Sequence, residues 1–170
     1  MSVAQLHQGR QGAKNGGTDT HLTPEWIIDL LPFVLGKEYL DPCVGPVSGR
    51  TGAIAEFDEQ QDGLKQHWRL PAFVNPPFSA MPVWVEKAAR SEFPVLLLAK
   101  FDPRVEWCRR LISAASRSRV IHGYTQFCSP EGKGASAMFQ VGLYLINADD
   151  QMSREFDYRF GPRTYRITDH

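Results

Sequence analysis

With 170 residues, 42% apolar and 22% charged side chains, the chain has the size and composition of one globular domain, which excludes the disordered and collagen-like classes. Nineteen basic residues against nineteen acidic ones give zero net charge, so the chain is no general polycation and any nucleic-acid surface must be local. No apolar run approaches the roughly 20 residues needed to cross a bilayer, and residues 1–17 lack an apolar signal core; the sequence therefore predicts a cytoplasmic protein with no membrane partner.

Residues 1–22 are rich in Gly, Gln, Thr and Asn without apolar periodicity, and are expected to form a mobile arm ahead of a single domain over 23–170. Thr23-Pro24-Glu25 reads as a helix start, with a hydroxyl at the N-cap and proline at the first helical position, and the apolar spacing behind it predicts a helix to about Leu35, stopped at Gly36. Short strands follow at Tyr39-Leu40, 53–57 and 71–75. Residues 82–93 read as a helix, the apolar run 94–100 as a strand covered on both faces, and 102–116 as an amphipathic helix capped by Asp102. Strands are expected at 119–123 and 137–146, the latter pairing antiparallel at an edge, with a loop over 127–136.

Strands alternating with helices predict an α/β fold with a mainly parallel sheet, an antiparallel edge strand and helices on both faces. Ligands of such sheets sit beyond the carboxyl ends of the strands. Two odd segments, DPCVG (41–45) and NPPFS (75–79), both follow predicted strands and are expected to share one crevice.

The proline pair has a chemical reading. Proline fixes its own φ and holds the preceding residue extended, so Asn75 and Pro76 are stiffened before any ligand arrives. The Asn75 amide oxygen and the Pro76 carbonyl are then two acceptors at fixed separation, suited to the two hydrogens of one planar NH2 group. Gripping the exocyclic amine of adenine or cytosine in this way favours a pyramidal nitrogen and frees its lone pair for an electrophilic methyl group. Phe78 offers a face on which an extruded base can stack, worth roughly 1–3 kcal/mol. Such chemistry needs no metal. Cys43, Cys108 and Cys128 are too widely spaced for a disulfide framework or a zinc site and read as buried thiols. Trp68, Trp84 and Trp107 read as core residues, and the arginines of 104–119 and 154–166 either as solvated faces or as phosphate contacts.

NPPF resembles the (Asp/Asn)-Pro-Pro-(Tyr/Phe) motif of S-adenosylmethionine-dependent amino-methyltransferases. The ordered set TPEW, LDPCVG, DGLKQHW, FVNPPFS and VLLLAKFDPRVEW resembles the Dam-like phage family of DNA N6-adenine methyltransferases over about residues 21–146. That resemblance implies a Rossmann-like methyltransferase fold, S-adenosylmethionine as cofactor, a flipped adenine of DNA as substrate, and a modification that evades restriction. It implies Asn75, Pro76, Pro77 and Phe78 as catalytic residues. Thr23, Pro24, Asp41, Cys43, Gly45 and Asp62 become cofactor contacts, with Glu56 or Asp58 for the ribose, and Ser79, Arg104, Arg109 and Arg110 become DNA contacts. The chain departs from the pattern in lacking a G-x-G loop and in carrying Phe78 for the commoner tyrosine. Cytosine N4, RNA and protein glutamine are alternative acceptors, an inactive binding or inhibitor module is the non-enzymatic alternative, and a homodimer is left open.

Overall fold

The computed structural model describes residues 21–123, 125–128, 134–136 and 139–167; the first twenty residues of the arm expected over 1–22 and half of the loop expected over 127–136 lie outside them, and the described parts of that loop, 127–128 and 134–136, are strand rather than loop. In chain order the elements are α1 (Glu25–Ile28), α2 (Leu31–Leu35), β1 (Leu40–Asp41), β2 (Ala55–Glu56), β3 (Ala72–Val74), α3 (Met81–Ala89), β4 (Val95–Lys100), α4 (Glu106–Ala114), β5 (Ala115–Ile121), β6 (Gln126–Cys128), β7 (Gly134–Ser136), β8 (Val141–Ile146), α5 (Asp150–Phe160) and β9 (Thr164–Arg166). Seven strands form one sheet in the order β2-β1-β3-β4-β8-β5-β9, and β6 and β7 form a separate hairpin.

The β2-β1-β3-β4 half is parallel, whereas β8 runs antiparallel to both β4 and β5. The antiparallel strand expected at 137–146 is therefore found, but inside the sheet. All six residues of β8 are buried, as an interior position with both faces covered requires. The antiparallel edge is β9, paired to β5.

Period-2 alternation divides the core into two layers. Phe73, Leu96, Leu98, Leu143 and Leu145 face one side, where they pack with Ile27 and Leu31 of α1 and α2 and with Phe156 and Phe160 of α5. Ala72, Val74, Val95, Leu97 and Tyr144 face the other, against Trp84, Val85 and Ala88 of α3 and Leu111 of α4. Helices thus cover both faces.

Three local expectations are revised. The helix predicted from Thr23 to Leu35 is two short helices separated at Asp29-Leu30, and Thr23 is not its cap: Pro24 occupies the N-cap position, and its carbonyl accepts from Ile27 N at 3.0 Å. Gly36 does end α2, at φ +83°, a left-handed conformation that glycine adopts at little cost. Asp102 does not cap α4, whose N-cap is Val105; it accepts instead from the backbone and side chain of Arg104. The chain after β8, for which no element is predicted, forms α5 and β9. Asp149 caps α5 by accepting from Met152 N at 2.8 Å, and Gly161-Pro162 follows it. No helix among the described residues is long and apolar enough to cross a membrane.

Candidate active site

Between β2 on one side and β3 on the other, the carboxyl end of β1 is a point where chain connections diverge in opposite directions, and a crevice forms there. It is a cleft of about 990 Å3 whose walls come from three segments: 41–51 after β1, 57–65 after β2, and 75–80 after β3, joined by His21, Leu22 and Thr23. DPCVG and NPPFS share this crevice, as their positions after strands predict.

Asp41 lies on the buried floor, 4% exposed. Its Oδ1 accepts from Cys43 N at 3.1 Å and its Oδ2 from Thr51 Oγ1 at 3.0 Å. Burial pushes its carboxyl up to about 6; the two hydrogen bonds pull the other way, and the charge of Glu56 adds to the rise. Cys43 lines the cleft half-buried, and burial together with Asp41 raises its thiol, so it stays protonated. Cys108 is buried, as expected; the Cys128 side chain lies outside the description.

Asn75 stands at the end of β3. Its Nδ2 donates to the His21 carbonyl at 2.7 Å and to Thr23 Oγ1 at 3.0 Å. A carbonyl can only accept, so the nitrogen must face His21, and Oδ1 is left without a hydrogen bond among the described residues. The Pro76 carbonyl likewise accepts none among them. The Pro77 carbonyl accepts from Ala80 N at 2.9 Å and opens a 3-10 turn, Phe78–Ala80, that leads into α3. Exposed Ser79 also lines the cleft.

Phe78 is placed differently from expectation. It is not part of the cleft lining; its ring packs 5.1 Å from His21, 5.1 Å from Phe139 and 5.9 Å from Phe127. Glu56 is also outside the lining, because its two carboxylate oxygens hold Ser48 Oγ and Gly49 N of the loop after β1. Asp58 and Asp62 do line it. Asp58 exchanges hydrogen bonds with Gln61, and Asp62, at φ +53°, accepts from Leu64 N and pairs with Lys65. Thr23 and Gly45 line the cleft and Pro24 does not.

The three arginines assigned to DNA stand apart from the cleft. Arg104 pairs with Asp102 at 2.8 Å, a hydrogen bond that holds the Asp102 carboxyl below its ordinary range. Arg110 pairs with Glu86 at 3.5 Å, and Arg109 donates to the carbonyls of Pro103 and Arg104. Trp68 and Trp84 are buried and stacked, with 6.3 Å between centroids, although Trp84 also reaches the cleft.

Several lining residues carried no sequence signal. Thr51 and Arg50 sit in a segment without periodicity. Arg50 Nη2 donates to the Thr23 carbonyl at 2.7 Å, and Nη1 meets Glu25 at 2.5 Å. Gly63 is the one whose signal was available, in the Asp-Gly dipeptide of QQDGL.

A sequence profile described as DNA N-6-adenine-methyltransferase (Dam) matches residues 12–155, most of the chain. The chain belongs to the Dam family of DNA N6-adenine methyltransferases. It is therefore a methyltransferase, and the substrate class of its family is adenine in DNA. Among solved structures, a Pyrococcus horikoshii protein provisionally described as an RNA methyltransferase superposes with TM-score 0.52 at 17% identity, over 84% of this chain and 94% of that one. At that identity the likeness concerns the fold alone, and the fold is the Rossmann-like methyltransferase sheet. No protein of curated function matches. For a Dam-family chain the revised placements matter most at Phe78 and Glu56, which pack or brace where the motif pattern implies direct contact.

Proposed function

We propose that the cleft holds S-adenosylmethionine and that Asn75 and Pro76 present the N6 amine of an adenine, swung out of DNA, to it. The observation that carries this reading is the Asn75 amide: both hydrogens are engaged by His21 and Thr23, which leaves Oδ1, like the carbonyl of the adjoining Pro76, without a hydrogen bond among the described residues, and both residues line the cleft. Two acceptors there suit an NH2 group and no other common nucleobase edge group.

The residues present fit the cofactor. A cleft of about 990 Å3 is at the upper end of the roughly 300–1,000 Å3 of small-molecule sites. A buried carboxylate on its floor calls for a cation, and the cofactor's ammonium is one, which assigns Asp41 to that group. Asp58 and Asp62 line the cleft and are the acids we assign to the ribose and adenosine, with Phe57, Leu64 and Trp84 as apolar wall; the Glu56 carboxylate already accepts from Ser48 and Gly49, which favours Asp58 over it for the ribose. When bound, the cofactor supplies an electrophilic methyl on a sulfonium. Oδ1 of Asn75 and the Pro76 oxygen hold the amine hydrogens, and their attraction grows as the nitrogen becomes positive, so they act on rate more than on affinity. His21 lines the cleft and packs on half-buried Phe78, with buried Phe127 behind both, so His21 is the ring an extruded base meets first and Phe78 backs it. Of the three arginines, Arg104 and Arg110 are paired with acids, whereas among the described residues Arg109 donates to carbonyls alone and is the one we assign to a phosphate.

The test is incubation of unmethylated DNA with radiolabelled S-adenosylmethionine, followed by nucleoside analysis. Label in N6-methyladenine is the expected result. Label in N4-methylcytosine changes the base, and absence of transfer with retained cofactor binding overturns the reading.

A further inference from the structure

A carboxamide has two ends of opposite hydrogen-bonding sense, and rotation by half a turn exchanges them at nearly constant shape. Asn75 is useful to an amine only when its oxygen faces the cleft. Nothing in the Asn75 side chain itself decides this. The decision comes from residues 54 and 52 positions earlier: the His21 carbonyl, 2.7 Å from Nδ2, and Thr23 Oγ1, 3.0 Å from the same atom. Rotation would set Oδ1 against the His21 oxygen, two acceptors in contact.

Thr23 is 4% exposed and is itself tied down. Its carbonyl accepts from Arg50 Nη2 at 2.7 Å, and Arg50 Nη1 pairs with Glu25 at 2.5 Å, two residues further along. Arg50 belongs to the loop that also carries Thr51, the partner of Asp41. One short segment, 21–25, therefore connects the amide at the end of β3 to the loop after β1.

We propose that Thr23 is a positioning residue for this reaction: with the His21 carbonyl it fixes the Asn75 amide with its oxygen toward the substrate amine, and Arg50 holds Thr23 in place. The inference rests on the amine-gripping role given to Asn75 above. The leading Thr-Pro motif thereby serves the methyl acceptor's end of the site, and a defect at Thr23 falls on turnover.

The experiment compares Thr23→Val, which keeps shape and removes the hydroxyl, with Thr23→Ser, which keeps the hydroxyl, in the 170-residue chain. Steady-state methylation of DNA is measured with S-adenosylmethionine varied, and the Asn75 side-chain NH2 signals are followed by NMR, assigned by their loss in Asn75→Ala. Thr23→Val is expected to lower kcat roughly tenfold or more, the effect of leaving one amide hydrogen without its acceptor, with cofactor KM changed less than about threefold. Thr23→Ser restores kcat to within about threefold, and in an Asn75→Ala background Thr23→Val has no further effect. The NH2 signals move in the valine variant and return in the serine variant. An unchanged kcat, a loss confined to KM, or an equal loss in the Asn75→Ala background overturns the inference, as do NH2 signals that the valine variant leaves in place. Signals that respond as expected in a chain where Asn75→Ala spares turnover uphold the orienting contact and overturn the catalytic role of Asn75 instead.

Discussion

Thr51 Oγ1 donates to Asp41 Oδ2 across 3.0 Å on the floor of the cleft, so a carboxylate taken out of water keeps a hydrogen-bond donor on each oxygen. Burial still dominates and pushes Asp41 up to about 6 from 3.8. A cation binding to Asp41 selects its ionised form, so affinity is low while the group is protonated, rises with pH through about 6, and levels above it. S-adenosylmethionine affinity measured by calorimetry between about pH 5 and about pH 8 should show this rise, approaching tenfold per pH unit at the acid end. Asp41→Asn should flatten the profile, and Thr51→Val, which removes a donor to the ionised form, should move the midpoint upward. For the unliganded protein the sign is opposite: the folded pKa lies above the unfolded one, so stability contributed by protonated Asp41 is full below about pH 4 and falls as pH rises through about 6. A flat binding profile in the wild-type chain contradicts the assignment of Asp41 to the cofactor's ammonium.

Asn75→Ala should lower kcat by about a hundredfold, the effect of removing one preorganised polar contact to a transition state, while cofactor affinity stays within about threefold. Asn75→Asp is the sharper variant. Aspartate serves at this motif position in related patterns, but here it has no hydrogen for the His21 carbonyl 2.7 Å away. The carboxylate is repelled from its seat, so activity should not be restored. An Asn75→Asp enzyme with full turnover would show that the His21 contact does not govern the amide.

How much of this was legible depended on the range of the interactions concerned. Local chemistry read well: the proline pair after a strand, the apolar run that ends at Lys100, and the crevice shared by Asp41 and Asn75 all follow from neighbours in sequence. Contacts across long separations did not. Thr23 looked like a helix cap because hydroxyl-Pro-acid is a start signal, yet its hydroxyl serves a residue 52 positions on, and no local pattern encodes that. Phe78 carries the right ring for stacking, but its surroundings are set by Phe127 from a distant hairpin and Phe139 from the bend before β8. The helix after β8 was a different kind of omission. Asp149 as cap and Met152, Phe156 and Phe160 at helical spacing were all present, and a period reading of the last segment would have found it.

Asp157 on α5 gathers three guanidinium groups: Arg119 at 2.8 Å, Arg166 at 2.6 Å and Arg117 at 3.2 Å. The side chain of Arg119 is only 10% exposed, so removing the acid leaves a nearly buried charge unpaired among two like neighbours. Asp157→Ala should therefore cost on the order of 2–4 kcal/mol, between the values for exposed and buried pairs. Denaturant unfolding checks the loss, and cofactor affinity should be unchanged because this cluster joins α5 to the β5–β9 edge, away from β1 and β3. A loss below about 1 kcal/mol would class the cluster with ordinary surface pairs.

Gly63 supplies the last test, because it places backbone where no side chain fits. A Cβ at this residue would lie 1.8 Å from the Pro42 carbonyl oxygen and 2.8 Å from its carbon, so Gly63→Ala has to move backbone. Two pieces of the site move with it. Pro42 precedes Cys43, whose N–H binds Asp41, and the Gly63 carbonyl accepts from Trp68 Nε1 at 2.9 Å. The substitution should destabilise the protein toward the upper end of about 1–3 kcal/mol for overpacking, lowering Tm by roughly 2–4 °C per kcal/mol in a chain of this size. It should also weaken S-adenosylmethionine binding, because the carboxylate on the floor loses a donor as the loop after β1 is pushed away. A Gly63→Ala protein with wild-type Tm and wild-type cofactor affinity would mean that the 57–65 segment yields freely and does not shape the cleft.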